Sequence, residues 1–587
     1  MTTLGPLLLL LLAAGAQAAP LRETWAALAG LPALYVAPGF AFARLLGRRA
    51  GQPDAVRVLF DAFWCSLPSA ILGLAASRWG GGPWSQLGVA ALSAGIGGWL
   101  DRKGGGEWRP ALPEAFGAIG ALALISVWFG LEAGNIARPL DRYWYLAGVE
   151  ERLPDAGTAP KPGDGWAEAT PIGDVEAGLW RLRPGGESAT LIGPSSAQMV
   201  LAVHAPVGAS VSGATETPIT VRASPVENPD EGPVWRYIGS GVAAGWLAEP
   251  MVDNSLLTLH FSSPGDTTVY VLASQDALWT LHGIGELHHA HYYQLLNMVE
   301  QLRWAENRWV TDVQPPLWTM VLAPAVALNH GGQPTANVLH AGVLVLLAFG
   351  GILFLREYSP HAPGPAWLLP GAAAVVTGKL LLEPGSDGMP DALYAVAIVA
   401  ALAGRPVGFG LAAQLLRYPG WGVVFVGTLL RRSWAEAARL TGVVAAAALA
   451  FGVGGWLTGA LDGWLRTVAW ESGPEHWHGN TEPRALLSRA PEFYRIWLIY
   501  AGGTPVLALL RWPPGTRVAL GTAAVYSLLL CTIDHSPTHY FVPLVVLSSL
   551  ACGCTAAAVE NRTLTHSLSA SGVAGLLIFW LRGEILA

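Results

Sequence analysis

Glu286-Leu287-His288-His289-Ala290-His291-Tyr292-Tyr293, then an amphipathic stretch, then Gln314-Pro315-Pro316-Leu317 at the head of an apolar run: this junction divides the chain into two textures. Before it the sequence is polar and patterned like β-strands, and after it hydrophobic helices follow one another. Ionisable groups at a bilayer boundary have to be kept wet, paired or used, so an acidic, His-rich loop there marks a place for chemistry.

Composition sets the class. With 52% apolar and only 13% charged residues over 587 positions, and a mean hydropathy of +0.41, the chain reads as a polytopic α-helical membrane protein rather than a soluble one. Apolar runs long enough to approach a ~30 Å hydrocarbon core give roughly 15 candidate crossings, several short enough to be re-entrant. They group into N-terminal transmembrane helices over 1–140, an exterior β-rich domain over 141–283, a juxtamembrane loop and helix over 284–316, and a transmembrane region over 317–587 with an exterior loop at 462–494. Leu7 to Leu12 with Ala16-Gln17-Ala18 has the look of a signal peptide, but no Lys or Arg precedes it, which favours an uncleaved first helix.

Arg44, Arg48, Arg49 and Arg57 fall in one short loop and Arg102, Lys103 and Arg109 in another, so both are expected to be cytoplasmic, as are the loops holding Arg431, Arg432 and Arg439 and holding Arg511 and Arg517. The polar insert then lies outside, where most of the net charge of −7 resides; that balance argues against a nucleic-acid partner. Cys65, Cys531, Cys552 and Cys554 all lie in apolar segments and read as small core residues, with no metal spacing and no disulfide framework.

Within the insert, Leu257 to Phe261 and Val269 to Ala273 read as strands separated by a Pro264-Gly265-Asp266 turn, with Gln198 to His204 and Ile219 to Ala223 as further strands. Several short strands suggest a β-sandwich. Trp166, Trp180, Trp235, Tyr237 and Trp246 suit either its core, the commoner use, or stacking on sugar rings. After Glu286 the period becomes helical. Tyr292, Leu295, Leu296, Val299 and Leu302 share one face and Gln294, Asn297, Glu300, Gln301 and Glu306 the other, which predicts a helix lying flat on the bilayer.

These residues resemble the GT-C superfamily of integral-membrane glycosyltransferases, above all the protein O-mannosyltransferases and lipid A aminoarabinose transferases. Glu286, Tyr292-Tyr293 and Gln314-Pro315-Pro316-Leu317 stand in the order of that family's acidic loop, Tyr-rich helix and Pro-Pro-Leu element. Met389-Pro390-Asp391-Ala392-Leu393 resembles its Asp at a later helix start, Leu411 to Gly420 its Leu-x-x-Leu-x-Lys-Tyr-Pro-Gly helix, and His539-Tyr540-Phe541-Val542-Pro543-Leu544 its Arg-Tyr-x-x-Pro-Leu element. The chain departs from the pattern in having Glu for Asp-Glu, Gln314 for a basic residue, and extra helices and a β domain ahead of the loop. The resemblance implies a polyprenyl-phosphate sugar donor and a glycan, lipid or protein acceptor.

A polyprenyl phosphate leaves as a stable anion and needs neutralising more than protonating, whereas the acceptor hydroxyl needs a base. Glu286 is the first candidate base and Asp391 the second. His288, His289, Tyr292, Gln314, Arg484, Arg489, Arg495, His539 and Tyr540 are candidates for substrate binding. Each has a plainer use, as a helix cap or a head-group anchor. His288, His289, His291, His476 and His478 are either unliganded or hold a divalent metal with Glu286. Crossing counts put Asp391 on the cytoplasmic side and the resemblance puts it outside; a re-entrant Trp367 to Leu382 removes the conflict. Asn561-Arg562-Thr563 matches a glycosylation sequon on the inner side, where it is silent. The expected location is a bacterial cytoplasmic membrane with the β domain outside. A transporter or lipid-linked glycan flippase, and a non-catalytic glycan-binding scaffold, are the competing classes.

Overall fold

In the computed structural model, the residues described are 4–18, 23–49, 54–78, 82–101, 112–136, the strand segments between 166 and 274, 317–329, 333–382, 389–417, 420–457, 483–531 and 538–582. The chain forms two compact units: one of Met1–Ala133, Gln301–Asn329 and Pro334–Ala587, the other of Gly134–Glu300 and His330–Gln333.

The second unit contains ten described strands, β1(Trp166–Ala169), β2(Leu179–Leu182), β3(Ser188–Ile192), β4(Gln198–His204), β5(Ser210–Ala214), β6(Ile219–Arg222), β7(Arg236–Tyr237), β8(Glu249–Pro250), β9(Leu256–Ser262) and β10(Thr267–Ser274). They pair antiparallel into one sheet of order β1-β2-β10-β4-β7, with β8 also on β4, and a second of order β3-β9-β5-β6. β10 aligns Val269 with Val203 and Val271 with Leu201. The strands on either side of Pro264-Gly265-Asp266, β9 and β10, belong to different sheets; the turn expected between them lies outside the described residues.

The first unit is helical. Its N-terminal part is α1(Leu4–Ala18), α2(Glu23–Tyr35), α3(Phe40–Arg49), α4(Ala55–Arg78), α5(Gly82–Asp101) and α6(Leu112–Ile136). The rest is α7(Leu317–Asn329), α8(Gln333–Tyr358), a 3-10 turn Gly364–Leu368, α9(Leu369–Leu382), α10(Met389–Leu402), α11(Pro406–Gln414), α12(Gly420–Leu430), α13(Trp434–Leu457), α14(Pro483–Tyr500), α15(Thr504–Ala508), α16(Pro514–Leu530), a 3-10 turn Thr538–Phe541, α17(Val542–Ala557) and α18(Arg562–Arg582). Among the described residues six helices are long and apolar enough to cross a membrane, or seven if the pair Trp25–Tyr35 and Phe40–Gly47, bent by 43°, is one span. This multi-pass arrangement has fewer full-length spans among the described residues than hydropathy alone suggests, because several apolar runs form helices too short to cross. The 43° bend falls at Gly39, whose backbone lies against the Ala62 carbonyl where any side chain would collide; its N–H donates to Ser66 Oγ at 2.8 Å.

Small residues and hydroxyls set the helix contacts, as in membrane bundles generally. Gly117, Gly371 and Gly378 bring α6 and α9 together at Trp367, Ala121 and Trp128 in turn, so the two run side by side in the same direction. Thr516 Oγ1 donates to the Ala551 carbonyl at 3.0 Å, and Trp497 Nε1 donates to Ser548 Oγ at 3.1 Å. Cys552 and Cys554 are buried small residues of α17, as expected.

At one end of this unit three carboxylates alternate with three arginines. Arg356, at the end of α8, pairs with Asp54 and at 3.4 Å with Glu114. Asp54 caps α4 by accepting from the Arg57 N–H at 2.7 Å. Arg57 lies 3.8 Å from Asp61, and Asp61 accepts both prongs of Arg405, the residue before α11, one at 2.9 Å. Nearby in sequence, Arg44 and Asp101 form a buried pair at 2.9 Å joining α3 to α5.

Candidate functional site

Asp391 opens α10 behind Pro390, where a proline suits the first turn and a carboxylate suits the positive end of the helix dipole. α10 has 14 residues, and at about 1.5 Å per residue Asp391 lies ~16 Å from the end that leads to Arg405. The chain then folds back: α11 runs antiparallel, and its last turn tightens through Arg417 N–H to Ala413 O at 2.9 Å and Gly420 N–H to Arg417 O at 2.8 Å. Gly420 is required there. A Cβ at this position would meet the Ala413 carbonyl and come within 2.7 Å of the Gln414 nitrogen.

That turn aims Arg417 at Asp391. Nε donates to Oδ1 at 3.0 Å and Nη2 to Oδ2 at 2.6 Å, the planar two-pronged match that distinguishes Arg from Lys. Asp391 is completely buried, and Arg417 is 14% exposed. Such a charge at bilayer depth is tolerable only when paired. His539 brings Nε2 to 3.7 Å from Asp391 Oδ2. The 3-10 turn carrying it is pinned by Phe541, which stacks on Phe493 of α14 at 4.8 Å and meets Tyr500 at 5.3 Å. Tyr540 packs against His539 at 4.5 Å and lies under the Arg417 guanidinium, 5.4 Å from ring centroid to Cζ. The N-termini of α10 and α17 both lie at this cluster, and each favours negative charge.

Three segments far apart in sequence thus meet: the Pro390-Asp391 helix start, the Arg417 turn and the His539-Tyr540 turn. Of the residues expected from sequence, Asp391, His539 and Tyr540 are brought together. Arg489 is half-buried and Arg495 exposed on α14, the helix that supplies Phe493; Arg484 lies in its first turn. Glu286, His288, His289, His291, Tyr292, Gln314, His476 and His478 lie outside the described residues. Arg417 was not singled out as a site residue, although it stands inside the Leu411 to Gly420 segment.

The directions of the helices bear on the two placements of Asp391. α9 runs alongside α6 away from Glu114, and its last turn is met by Thr538, whose Oγ1 donates to Leu380 O at 3.5 Å. Trp367 to Leu382 therefore runs from the Arg405 end toward the Asp391 end. The helix that breaks the count is α7. Its first N–H donates to Leu415 O at 2.9 Å, Tyr35 donates to Val321 O, and Gln17 donates to Leu328 O at 2.9 Å. Gln17 is at the end of α1 and Tyr35 at the far end of α2, so α7 starts part-way along the bundle and runs to one end only. With α7 counted as a half-helix, α10 starts at the end opposite the Asp54 to Arg405 chain.

The fold defines a class, a multi-pass helical membrane protein with a buried Asp-Arg-His cluster. In comparisons with protein-family models, curated proteins and solved structures, the chain matches none.

Proposed function

We propose that this chain is a GT-C-like, inverting glycosyltransferase that moves a sugar from a polyprenyl-phosphate donor to a glycan, lipid or protein acceptor. The observation that carries the reading is the Asp391-Arg417 fork with His539 and Tyr540 beside it, because it assembles three separately quoted motifs around one carboxylate and one cation. Arg417, His539 and two helix N-termini supply the positive field that a departing phosphate needs. Asp391 keeps lone pairs beyond those given to Arg417 and takes the acceptor's proton as the new glycosidic bond forms. Glu286, brought in by the juxtamembrane loop, is the other carboxylate of this reading. If the loops with Arg44 to Arg57 and Arg431 to Arg439 are cytoplasmic, Asp391 belongs to the outward half of a bacterial cytoplasmic membrane, and the two sheets form an exterior β-sandwich.

A transporter or flippase is the second reading, favoured by α7, which starts part-way along the bundle as interrupted transporter helices do. The deciding experiment is a transfer assay with purified chain and a panel of polyprenyl-phosphate sugars. Asp391→Asn is expected to lose ~10²–10⁴-fold of turnover, and Glu286→Ala reports on the second carboxylate. Turnover unchanged in both variants removes the assignment. Absence of product with every donor, together with Asp391-dependent movement of lipid-linked glycan across vesicles, selects the transporter.

A further inference from the structure

One polar group beside the fork is left unused by the reading above. Tyr394 follows Asp391 by one turn of α10 and is wholly buried, yet among the described residues its hydroxyl has no hydrogen-bond partner. Side chains on a helix lean toward its N-terminus, which carries this ring toward the turn that holds Asp391. Its edge meets Tyr526 of α16, with centroids 6.1 Å apart and planes at 60°. Asp391 and Arg417 are charged neighbours of both phenols, and Tyr540 is a further neighbour of Tyr526.

A buried hydroxyl without a partner is unfavourable, and Phe would fill the same space without it. An unmade bond of this kind next to a candidate site suits a ligand that completes it. The chemistry of the pair narrows that ligand. Tyr394 and Tyr526 carry no charge themselves, so the pair offers neutral O–H groups and aromatic rings rather than cations. A phosphate dianion calls for cations; a sugar calls for neutral hydrogen-bonding groups and aromatic faces for its C–H surface.

Resting on the transferase reading, we infer that Tyr394 and Tyr526 form the subsite for the hydroxyls of the transferred sugar, apart from the Arg417 and His539 side that meets the phosphate. Both rings are closed off in this conformation, so the sugar enters by displacing the edge of Tyr526 from Tyr394.

The test titrates the purified full-length chain in nanodiscs with bare polyprenyl phosphate and with a panel of polyprenyl-phosphate hexoses, following intrinsic tryptophan fluorescence. Wild type is expected to bind at least one hexose-bearing lipid more tightly than the bare lipid. Tyr394→Phe should weaken binding of that hexose-bearing lipid by about tenfold, the worth of one neutral hydrogen bond, and leave the bare lipid's affinity unchanged; Tyr526→Phe should act in the same direction. Both substitutions keep the ring, so the fold is preserved. Phe variants that bind both lipids as wild type does overturn the subsite while leaving the transferase reading intact. A wild type that binds neither lipid overturns the transferase reading and the subsite with it.

Discussion

The two ends of α10 hold their charges in different ways. At the Arg405 end, three carboxylates and three arginines form a chain in which Arg356 and Asp61 each have two neighbours of opposite sign, and Arg405 is 35% exposed. At the Asp391 end a single arginine grips a single carboxylate of zero exposure, with one histidine as companion. The first arrangement is redundant and partly wetted, as expected of charges that join α4, α6, α8 and α11 near a membrane boundary. The second centres on a carboxylate of zero exposure. Burial makes the fork costly to break and easy to perturb by a ligand, which are the properties of a site rather than of a staple.

That contrast is open to attack in order of expected effect. Arg417→Ala strands the buried Asp391 charge and should lower stability by about 3–5 kcal/mol, read as loss of the folded fraction on heating in detergent, with transfer abolished. The double variant Asp391→Leu with Arg417→Leu should recover most of that stability and none of the activity; recovery of both would make the fork structural only. Gly420→Ala forces a methyl against the Ala413 carbonyl and should cost about 1–3 kcal/mol while shifting Arg417 off Asp391, so its turnover should fall more than its melting temperature does. Arg405→Ala removes both prongs from the buried Asp61 but leaves it Arg57 at 3.8 Å, so it should cost about 1–3 kcal/mol, less than Arg417→Ala, with turnover within twofold of wild type. A loss there as large as for Arg417→Ala would erase the distinction between the two ends. Glu114→Gln gives up one contact of 3.4 Å and should change stability by less than about 0.5 kcal/mol.

Asp391 was legible because Pro followed by Asp at the head of an apolar run is a local helix-start signal, and the His539-Tyr540-Phe541-Val542-Pro543 turn was legible for the same kind of reason. Arg417 was not. An arginine at the end of an apolar helix reads as a head-group anchor, and only the α10–α11 hairpin, closed at Gly420, turns it inward. Arg44 and Arg57 read as markers of sidedness, and nothing local marks their carboxylate partners Asp101 and Asp61, since partners brought in by the fold carry no spacing signal. The β-strands followed from alternation, but their division between two sheets did not, because a turn motif specifies a change of direction and not which edge the next strand joins.

Sequence alone determined the membrane class, the helix ends around Asp391 and His539 and the texture change at Glu286, all of which depend on neighbours within a few positions along the chain. Tertiary structure decided that α7 starts part-way along the bundle and that Asp391 closes on Arg417. Those outcomes depend on the direction and register of helices against one another, which small residues such as Gly117, Gly371, Gly378 and Gly420 set by letting backbones come close, and no local pattern encodes which backbone will arrive.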